Sequence, residues 1–466
     1  MEPLHITEFA SKRYFDKINQ LPKDQQQQND SSLVEASPLP FDQLFLNLPN
    51  ELQIQIIASL PLSDVLNLRV ASRAWHCMVT LNESPIVRYQ LAHEVPAYAK
   101  RLYPVSETTG YTLHYLCGLW HRLHVAAKLS RRMCDWCTKE IFLKTTRDQV
   151  ASFASQRERM YRRLIPLLFT VFHFLEKYRK LHLQYILEHG YGLERTPYTL
   201  NPIEVQIMNM YDDRTLLQVH QVFPLIVASF CRRLRPPSYA GRVERAVRGY
   251  LREKPADELH TAILCLGGLR QVLRLWEVKG YNTRRGVADT LYNEFQESKE
   301  APRSAESISK EAKRRGLKGL GRKMSILQVR DASQANDIPE GSNRPVIDGC
   351  LEQVPTRSSM ITPTSFVFNT SLAAGMPMDK LEQEQYKLLL PNLPALQKLW
   401  LSTAEALILD RKIVERSVDI KRNAQVMLDL IKEDGVVEED IWWYGMVTTK
   451  SIRPPPLEAI EEDPID

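Results

Sequence analysis

The sequence predicts an all-α protein in which a small three-helix module precedes a multi-helical domain. Apolar residues recur every three or four positions from Leu44 to about Ser298, and again from Asp379 onward, which is the spacing of amphipathic helices. The sequence shows neither the alternating pattern of strands nor an internal repeat of about 20 to 50 residues. The 466 residues are 44% hydrophobic and 25% charged. This composition is typical of globular proteins and excludes collagen and a wholly disordered chain.

Composition divides the chain into six predicted regions. Residues 1–40 include the glutamine run 25–28 and are too polar to bury a core, so they are predicted to be a disordered lead-in. The small module follows at 41–99, the helical domain at 100–298, a disordered basic insert at 299–375, the C-terminal helices of the domain at 376–433 and an acidic tail at 434–466. The formal net charge is only +5, which does not by itself indicate a nucleic-acid partner.

Long helices are predicted in the domain from periodicity and from their breakers. The first covers 161–189 and ends at Gly190, and the second covers 203–234, with a kink at Pro224 and an end at Pro236 and Pro237. The third covers 256–279 and ends at Gly280. The fourth covers 394–431, where apolar residues recur every seven positions: Leu399, Ala406, Ile413, Ile420 and Met427. The aromatic run 442–444 lies between acidic residues. It either packs the tail onto the helical body or anchors a partner.

The small module is predicted from residues 48–75. Pro49 suits the first turn of a helix, and Leu52, Ile56 and Leu60 then follow at four-residue spacing on one face. Pro61 ends that helix, Ser63 is predicted to cap the next one with Asp64 at its positive end, and a third helix is predicted to hold Val70, Trp75, Met78 and Val79. Three such short helices bury little surface, so we expect another domain or another chain to cover part of their apolar residues.

The order of residues in this module resembles the F-box. The elements of the resemblance are Leu48-Pro49, Glu51-Leu52, Ile57, Leu60-Pro61, Asp64, Leu66 and residues 70–75, which read Val-x-Ser-Arg-x-Trp. The resemblance covers some 45 residues. The remainder of the chain looks like the helical C-terminal regions of fungal F-box proteins, on composition alone.

The resemblance implies a partner and a role. An F-box inserts into the Skp-type adaptor of a Skp, cullin and F-box ubiquitin ligase, and through it reaches a cullin. The positions implied for contact are Leu48, Pro49, Leu52, Ile56, Leu60, Leu66 and Trp75, although Trp75 fits a core position equally well. The predicted function is that of the substrate-recognition adaptor subunit, presenting an unknown protein for ubiquitination. The alternatives are a helical scaffold that binds the adaptor without delivering a substrate and, last, a nuclear protein associated with nucleic acid.

Metal binding is considered at Cys134 and Cys137, since C-x-x-C spacing lets two thiolates bind one zinc ion. A turn would have to bring His121 and His124, or His114 and Cys117, to complete the site. The alternative, two reduced structural cysteines, is preferred, and no metal or cofactor is predicted.

No catalytic residue is predicted, because the sequence lacks the hydrolase, metalloprotease and dinucleotide motifs. Residues 316–325 nearly match a phosphate-binding loop, but Arg322 stands in place of its lysine. The basic run 310–323 is interpreted as a solvated linker, a nuclear import signal or a patch for phosphate or nucleic acid. Because the motifs of catalysis are missing, we expect that the protein is not an enzyme. The sequence shows no secretion signal, no membrane span and seven scattered cysteines, so we expect it in the cytoplasm or the nucleus.

Overall fold

The computed structural model describes residues 41–105, 110–193, 200–236, 255–296 and 377–445. Within these ranges all regular structure is helical, which confirms the predicted all-α class. The chain divides into two compact units, residues 1–53 and 54–466, and the division falls inside one continuous helix. The predicted lead-in and basic insert, and the tail beyond residue 445, lie outside the described residues, and the six region boundaries stay predictions.

The helices are numbered in chain order. They are α1 (Phe41–Leu46), α2 (Asn50–Ala58), α3 (Leu62–Ala71), α4 (Arg73–Leu81), α5 (Glu83–His93), α6 (Ala97–Leu102), α7 (Leu113–Glu140), α8 (Arg147–Ser152), α9 (Ala154–His189), α10 (Pro202–Met208), α11 (Asp213–Arg233), α12 (Asp257–Ala262), α13 (Gly268–Glu277), α14 (Tyr281–Gln296), α15 (Gln383–Leu389), α16 (Leu401–Asp410), α17 (Ala424–Ile431) and α18 (Val436–Tyr444).

The described part of the first unit is α1, the turn after it and the start of α2. Gln53 ties this turn together, because its amide nitrogen Nε2 donates to the carbonyl oxygens of Leu46 at 3.0 Å and Leu48 at 2.7 Å. Those carbonyls end α1 and would otherwise lack a partner at the helix terminus. One side chain therefore fixes the entry of the chain into α2.

The core of the second unit is built around α9. Every residue from 164 to 175 is buried, on all sides of the helix, because α7, α10, α11, α13, α15 and α17 pack around it. A helix that is apolar all round must be covered in this way. Gly190, with φ of +76°, ends α9 where the sequence predicts it. None of the described helices combines the length and the hydrophobicity needed to cross a membrane.

A half-buried polar cluster joins α7 and α9 to the segment after α6. Arg122 donates to both carboxylate oxygens of Glu176, from Nε at 2.9 Å and from Nη2 at 2.7 Å. Tyr103 donates its hydroxyl to the same carboxylate at 2.8 Å. Burial raises the pKa of Glu176, but hydrogen bonding to Arg122 outweighs it and holds the pKa below its ordinary value. The carboxylate is therefore a paired, ionised group at the edge of the core.

Three of the predicted long helices are interrupted. The predicted helix 203–234 is two helices, because Asp212 starts α11 by accepting the backbone N–H of Thr215 at 2.9 Å. The predicted helix 256–279 contains a π-helical turn, Ile263–Gly267, followed by Gly268 at φ of +66°. The predicted helix 394–431 is reduced to α16 and α17, with Trp400 and Asn423 at positive φ. These predictions of single helices were wrong because local breaks leave the apolar spacing almost unchanged.

The aromatic run 442–444 lies at the end of α18 and packs against α6. Arg101 donates from Nη1 to the carbonyl oxygen of Trp442 at 2.9 Å, and its guanidinium lies 4.6 Å from the Trp442 ring centroid. Trp443 and Tyr444 are buried, and the Tyr444 hydroxyl donates to the carbonyl oxygen of Arg162 at 2.7 Å. The interpretation that this run packs onto the helical body is therefore supported over that of a partner anchor.

Candidate docking surface

The two sides of α2 have opposite environments. Gln53, Ile57 and Ala58 are buried, with Ile57 only 1% exposed, whereas Leu52 is 47% exposed and Ile56 44%. Positions 52 and 56 are four residues apart and share one face of the helix. Leu48 lies in the turn before α2 and is 36% exposed. We call Leu48, Leu52 and Ile56 the apolar stripe.

Two further residues of the predicted site are accessible. Pro49 is exposed and Leu60, after α2, is half-buried. Leu44 on α1 is also exposed, at 52%. Single exposed apolar side chains are ordinary on protein surfaces, but several of them within one short helix and its flanking turns are typical of an interaction site.

Two of the predicted contact residues belong to the core instead. Leu66 is 3% exposed and Trp75 is 8% exposed, together with Val65, Met78 and Val79 of the same helices. They hold α3 and α4 together, so neither side chain is accessible to a partner in this state. Contact with an adaptor stays a prediction for Leu48, Pro49, Leu52, Ile56 and Leu60.

The predicted helix starts also differ from the observed ones. Ser63 does not cap α3, since α3 begins at Leu62 and Pro61 occupies the cap position. Ser72 caps α4 by accepting the backbone N–H of Trp75 at 3.3 Å. Val70 accordingly lies in the last turn of α3 rather than in the third helix, and it is 60% exposed.

A glutamine that the sequence did not single out holds the C-terminal end of α2. Gln90 on α5 is 1% exposed, and its Nε2 donates to the carbonyl oxygens of Ala58 and Leu60, both at 2.7 Å. These carbonyls would otherwise be unpaired at the helix end. Gln90 therefore keeps α2, which carries Ile56, in place. A lone glutamine in an apolar pattern gives no sequence signal for such a role.

The cysteine and histidine candidates lie on one continuous helix. His121, His124, Cys134 and Cys137 are all in α7, and ten residues of helix separate His124 from Cys134 by about 15 Å. The turn that the zinc interpretation required is thus replaced by helix. Burial raises the pKa of Cys137 to about 12, and it also raises the pKa of Cys134. Both shifts disfavour the thiolate form that binds metals. In the part of the chain that the structure describes, no three His, Cys, Asp or Glu side chains group as metal ligands.

The buried histidine of α9 has a structural environment. His173 is fully buried, and its Nδ1 lies 2.8 Å from the hydroxyl oxygen of Tyr211. Burial lowers its pKa to about 3, so the ring is neutral at physiological pH. His173 is therefore a packed residue of the core.

Comparison with known families gives one match, which falls on this module. The model of the F-box domain matches residues 45–86, which span α2, α3, α4 and the apolar stripe. The chain carries an F-box domain. No curated protein and no solved structure is significantly similar to the chain. An F-box implies a role as the component of a Skp, cullin and F-box ubiquitin ligase that binds the Skp-type adaptor. F-box proteins are typically adaptors rather than enzymes.

Proposed function

We propose that the chain is the substrate-recognition adaptor subunit of a Skp, cullin and F-box ubiquitin ligase. It docks on the Skp-type adaptor through the apolar stripe of its F-box and presents a protein bound by the helical body. The observation that carries this proposal is the exposure of Leu52 and Ile56 beside the buried Ile57 on the same short helix. Covering the exposed half of each side chain contributes about 1 kcal/mol.

The docking step is tested by co-elution with a purified Skp-type adaptor. The double variant Leu52→Asp/Ile56→Asp places two carboxylates on the apolar stripe, where they cannot be paired in a dry interface. Both positions are exposed, so the variant should fold, as checked by circular dichroism. Its affinity for the adaptor should fall by on the order of 100-fold.

A matched control carries the same substitutions elsewhere on the surface. Leu187 and Met210 are 64% and 57% exposed, and the variant Leu187→Asp/Met210→Asp should bind the adaptor like wild type. If both double variants and the wild-type chain bind equally well, the stripe is not the docking surface. Reconstituted ubiquitination tests delivery: if the chain assembles with the ligase and no bound protein depends on it for ubiquitination, it is a scaffold.

A further inference from the structure

A pocket of about 310 Å³ lies between α5, α6 and the start of α7, and the residues matched by the F-box model do not include it. Two cationic side chains, two tyrosines and three apolar residues line it. Its volume is at the lower end of the range of about 300–1,000 Å³ that is usual for ligand sites. The pocket therefore has room for one or two side chains of a bound segment.

The charge of this pocket is one-sided. Arg88 of α5 and Lys100 of α6 are its cations, and none of the described residues that line it is acidic. Lys100 donates from Nζ to the carbonyl oxygen of Leu91 at 3.0 Å, which leaves two of its N–H groups for another acceptor. Partial burial lowers the pKa of Lys100, as expected of an ammonium group that no carboxylate offsets. The pocket therefore favours an anionic occupant.

Arg88 is held in place without using its hydrogen-bond donors. Its guanidinium lies 4.7 Å from the centroid of the Tyr111 ring, and it has no hydrogen bond or ion pair with any residue that the structure describes. By contrast, Arg122, Arg162 and Arg163 each pair with a carboxylate. A positioned guanidinium with free donors is suited to bind a carboxylate through two hydrogen bonds.

The last described residues of the chain lead to this pocket. Helix α18 ends at Gly445, which is so close to α6 that an added Cβ would lie 3.1 Å from the Cβ of Ala97. Ala97 is the first residue of α6, and Lys100 follows three residues later, about 4.5 Å along the helix. The chain therefore enters residues 446–466, which lie outside the described residues, about one helical turn from Lys100.

The sequence of residues 446–466 complements the pocket. Residues 454–466 carry five carboxylates and no basic residue, and apolar Leu457 and Ile460 lie among them. The twelve residues 446–457 can span up to about 40 Å when extended, so the acidic run 458–463 can reach the pocket. A short tether also raises the effective concentration of a segment to the millimolar range, which makes a few ion pairs sufficient for docking.

We propose that residues 457–463 of the same chain dock in this pocket, with their carboxylates on Arg88 and Lys100 and with Ile460 against Leu91, which is 6% exposed. Docking joins the acidic end of the chain to the helices that follow the F-box match. This inference goes beyond the function proposed above and does not depend on it.

The test is cross-linking of the full chain with a water-soluble carbodiimide, which joins amines to carboxylates that are in contact, followed by mass spectrometry of the digested protein. We expect Lys100 to be linked to a carboxylate of residues 458–463. Arg88→Glu should lower the yield of this link at least about 5-fold, because it places a carboxylate where the tail needs a cation. Arg88→Lys keeps the charge and should retain most of the yield.

The matched control is Arg147→Glu, which makes the same substitution at an exposed arginine of α8 and should leave the yield unchanged. Raising sodium chloride from about 0.05 M to about 0.5 M should lower the yield in the wild-type chain.

Four outcomes would overturn the proposal. The first is the absence of the Lys100 link, and the second is linkage of the tail to the exposed Lys180, Lys398 and Lys412 as often as to Lys100. The third is a link that joins isotope-labelled to unlabelled chains in a mixture, which would assign the tail to a second copy. The fourth is its loss in sodium sulfate but not in sodium chloride of equal ionic strength, which would indicate a site for a tetrahedral anion.

Discussion

Helices α2 and α9 are both rich in apolar residues, yet the rest of the chain covers them to very different extents. In α9, residues 164–175 are buried on every side by other helices. In α2, only the side that carries Ile57 is covered, and Leu52 and Ile56 stay exposed. The comparison teaches that an apolar helix is part of the core only where enough of the chain surrounds it. An apolar face without such cover is available to another protein.

The two helices are also held differently. α9 is fixed by packing over 36 residues and by the paired Arg122 and Glu176. α2 has nine residues; Gln53 ties it to the turn before it, and Gln90 holds its C-terminal end. A short helix held by hydrogen bonds at its ends can offer a whole face to a partner, whereas a long central helix cannot.

The largest expected effect comes from the same kind of truncation in the two helices. Phe172→Ala in α9 removes a ring that is 0% exposed and should lower the free energy of unfolding by about 3–5 kcal/mol. Leu52→Ala in α2 should change it by less than about 0.5 kcal/mol, because the side chain is half in water. It should nevertheless lower the affinity of the chain for the Skp-type adaptor by about 10-fold. Chemical denaturation and adaptor titration measure the two quantities, and equal stability losses would contradict the comparison.

The second largest effect is a pH dependence of stability that we expect in the helical domain. Glu204 of α10 is buried, and burial raises its pKa from 4.5 to about 7, although it lies 3.5 Å from the backbone N–H of Trp400. A carboxyl group whose pKa is higher in the folded state contributes stability below its unfolded pKa, and this contribution is lost as the pH rises from about 4.5 through 7. Glu204→Gln should therefore be more stable than wild type at pH 8, by up to about 3 kcal/mol, and similar to it near pH 4.

Thermal or denaturant unfolding across this pH range measures the difference. The F-box variant Leu52→Asp/Ile56→Asp is the control, and it should keep the wild-type dependence between pH 4.5 and 7. If Glu204→Gln and wild type change in parallel over this window, the ionisation of Glu204 is not the cause.

The sequence was sufficient to predict those features that have a clear residue pattern. Apolar spacing predicted the helical class, Gly190 predicted the end of α9, and an ordered set of residues predicted the F-box. The same spacing failed at Asp212 and Trp400, because one capping side chain or one residue at positive φ ends a helix without disturbing the pattern. Helix ends are local events, and apolar periodicity averages over them.

The site was only partly predictable for a related reason. The F-box pattern includes Leu66 and Trp75 as well as Leu52, but only Leu52 is exposed. Periodicity shows which residues share a face of a helix, and it does not show what covers that face. Gln90 had no sequence signal at all, because its role depends on the end of α2, which lies about 30 residues earlier in the chain. Burial and cavities are properties of the packed chain.

The smallest expected effect tests the ends of α2. Gln90→Leu removes the donor for the carbonyl oxygens of Ala58 and Leu60 and should lower the free energy of unfolding by about 1–3 kcal/mol. Hydrogen exchange should rise in residues 50–62 and stay unchanged in α9, since the hydrogen bonds of the Gln90 amide go to the end of the short helix. Adaptor affinity should fall because Ile56 is no longer held in place. Gln55→Leu, at an exposed position of α2, is the matched control and should leave exchange unchanged. Equal exchange in both variants would show that packing alone, without these hydrogen bonds, positions the apolar stripe.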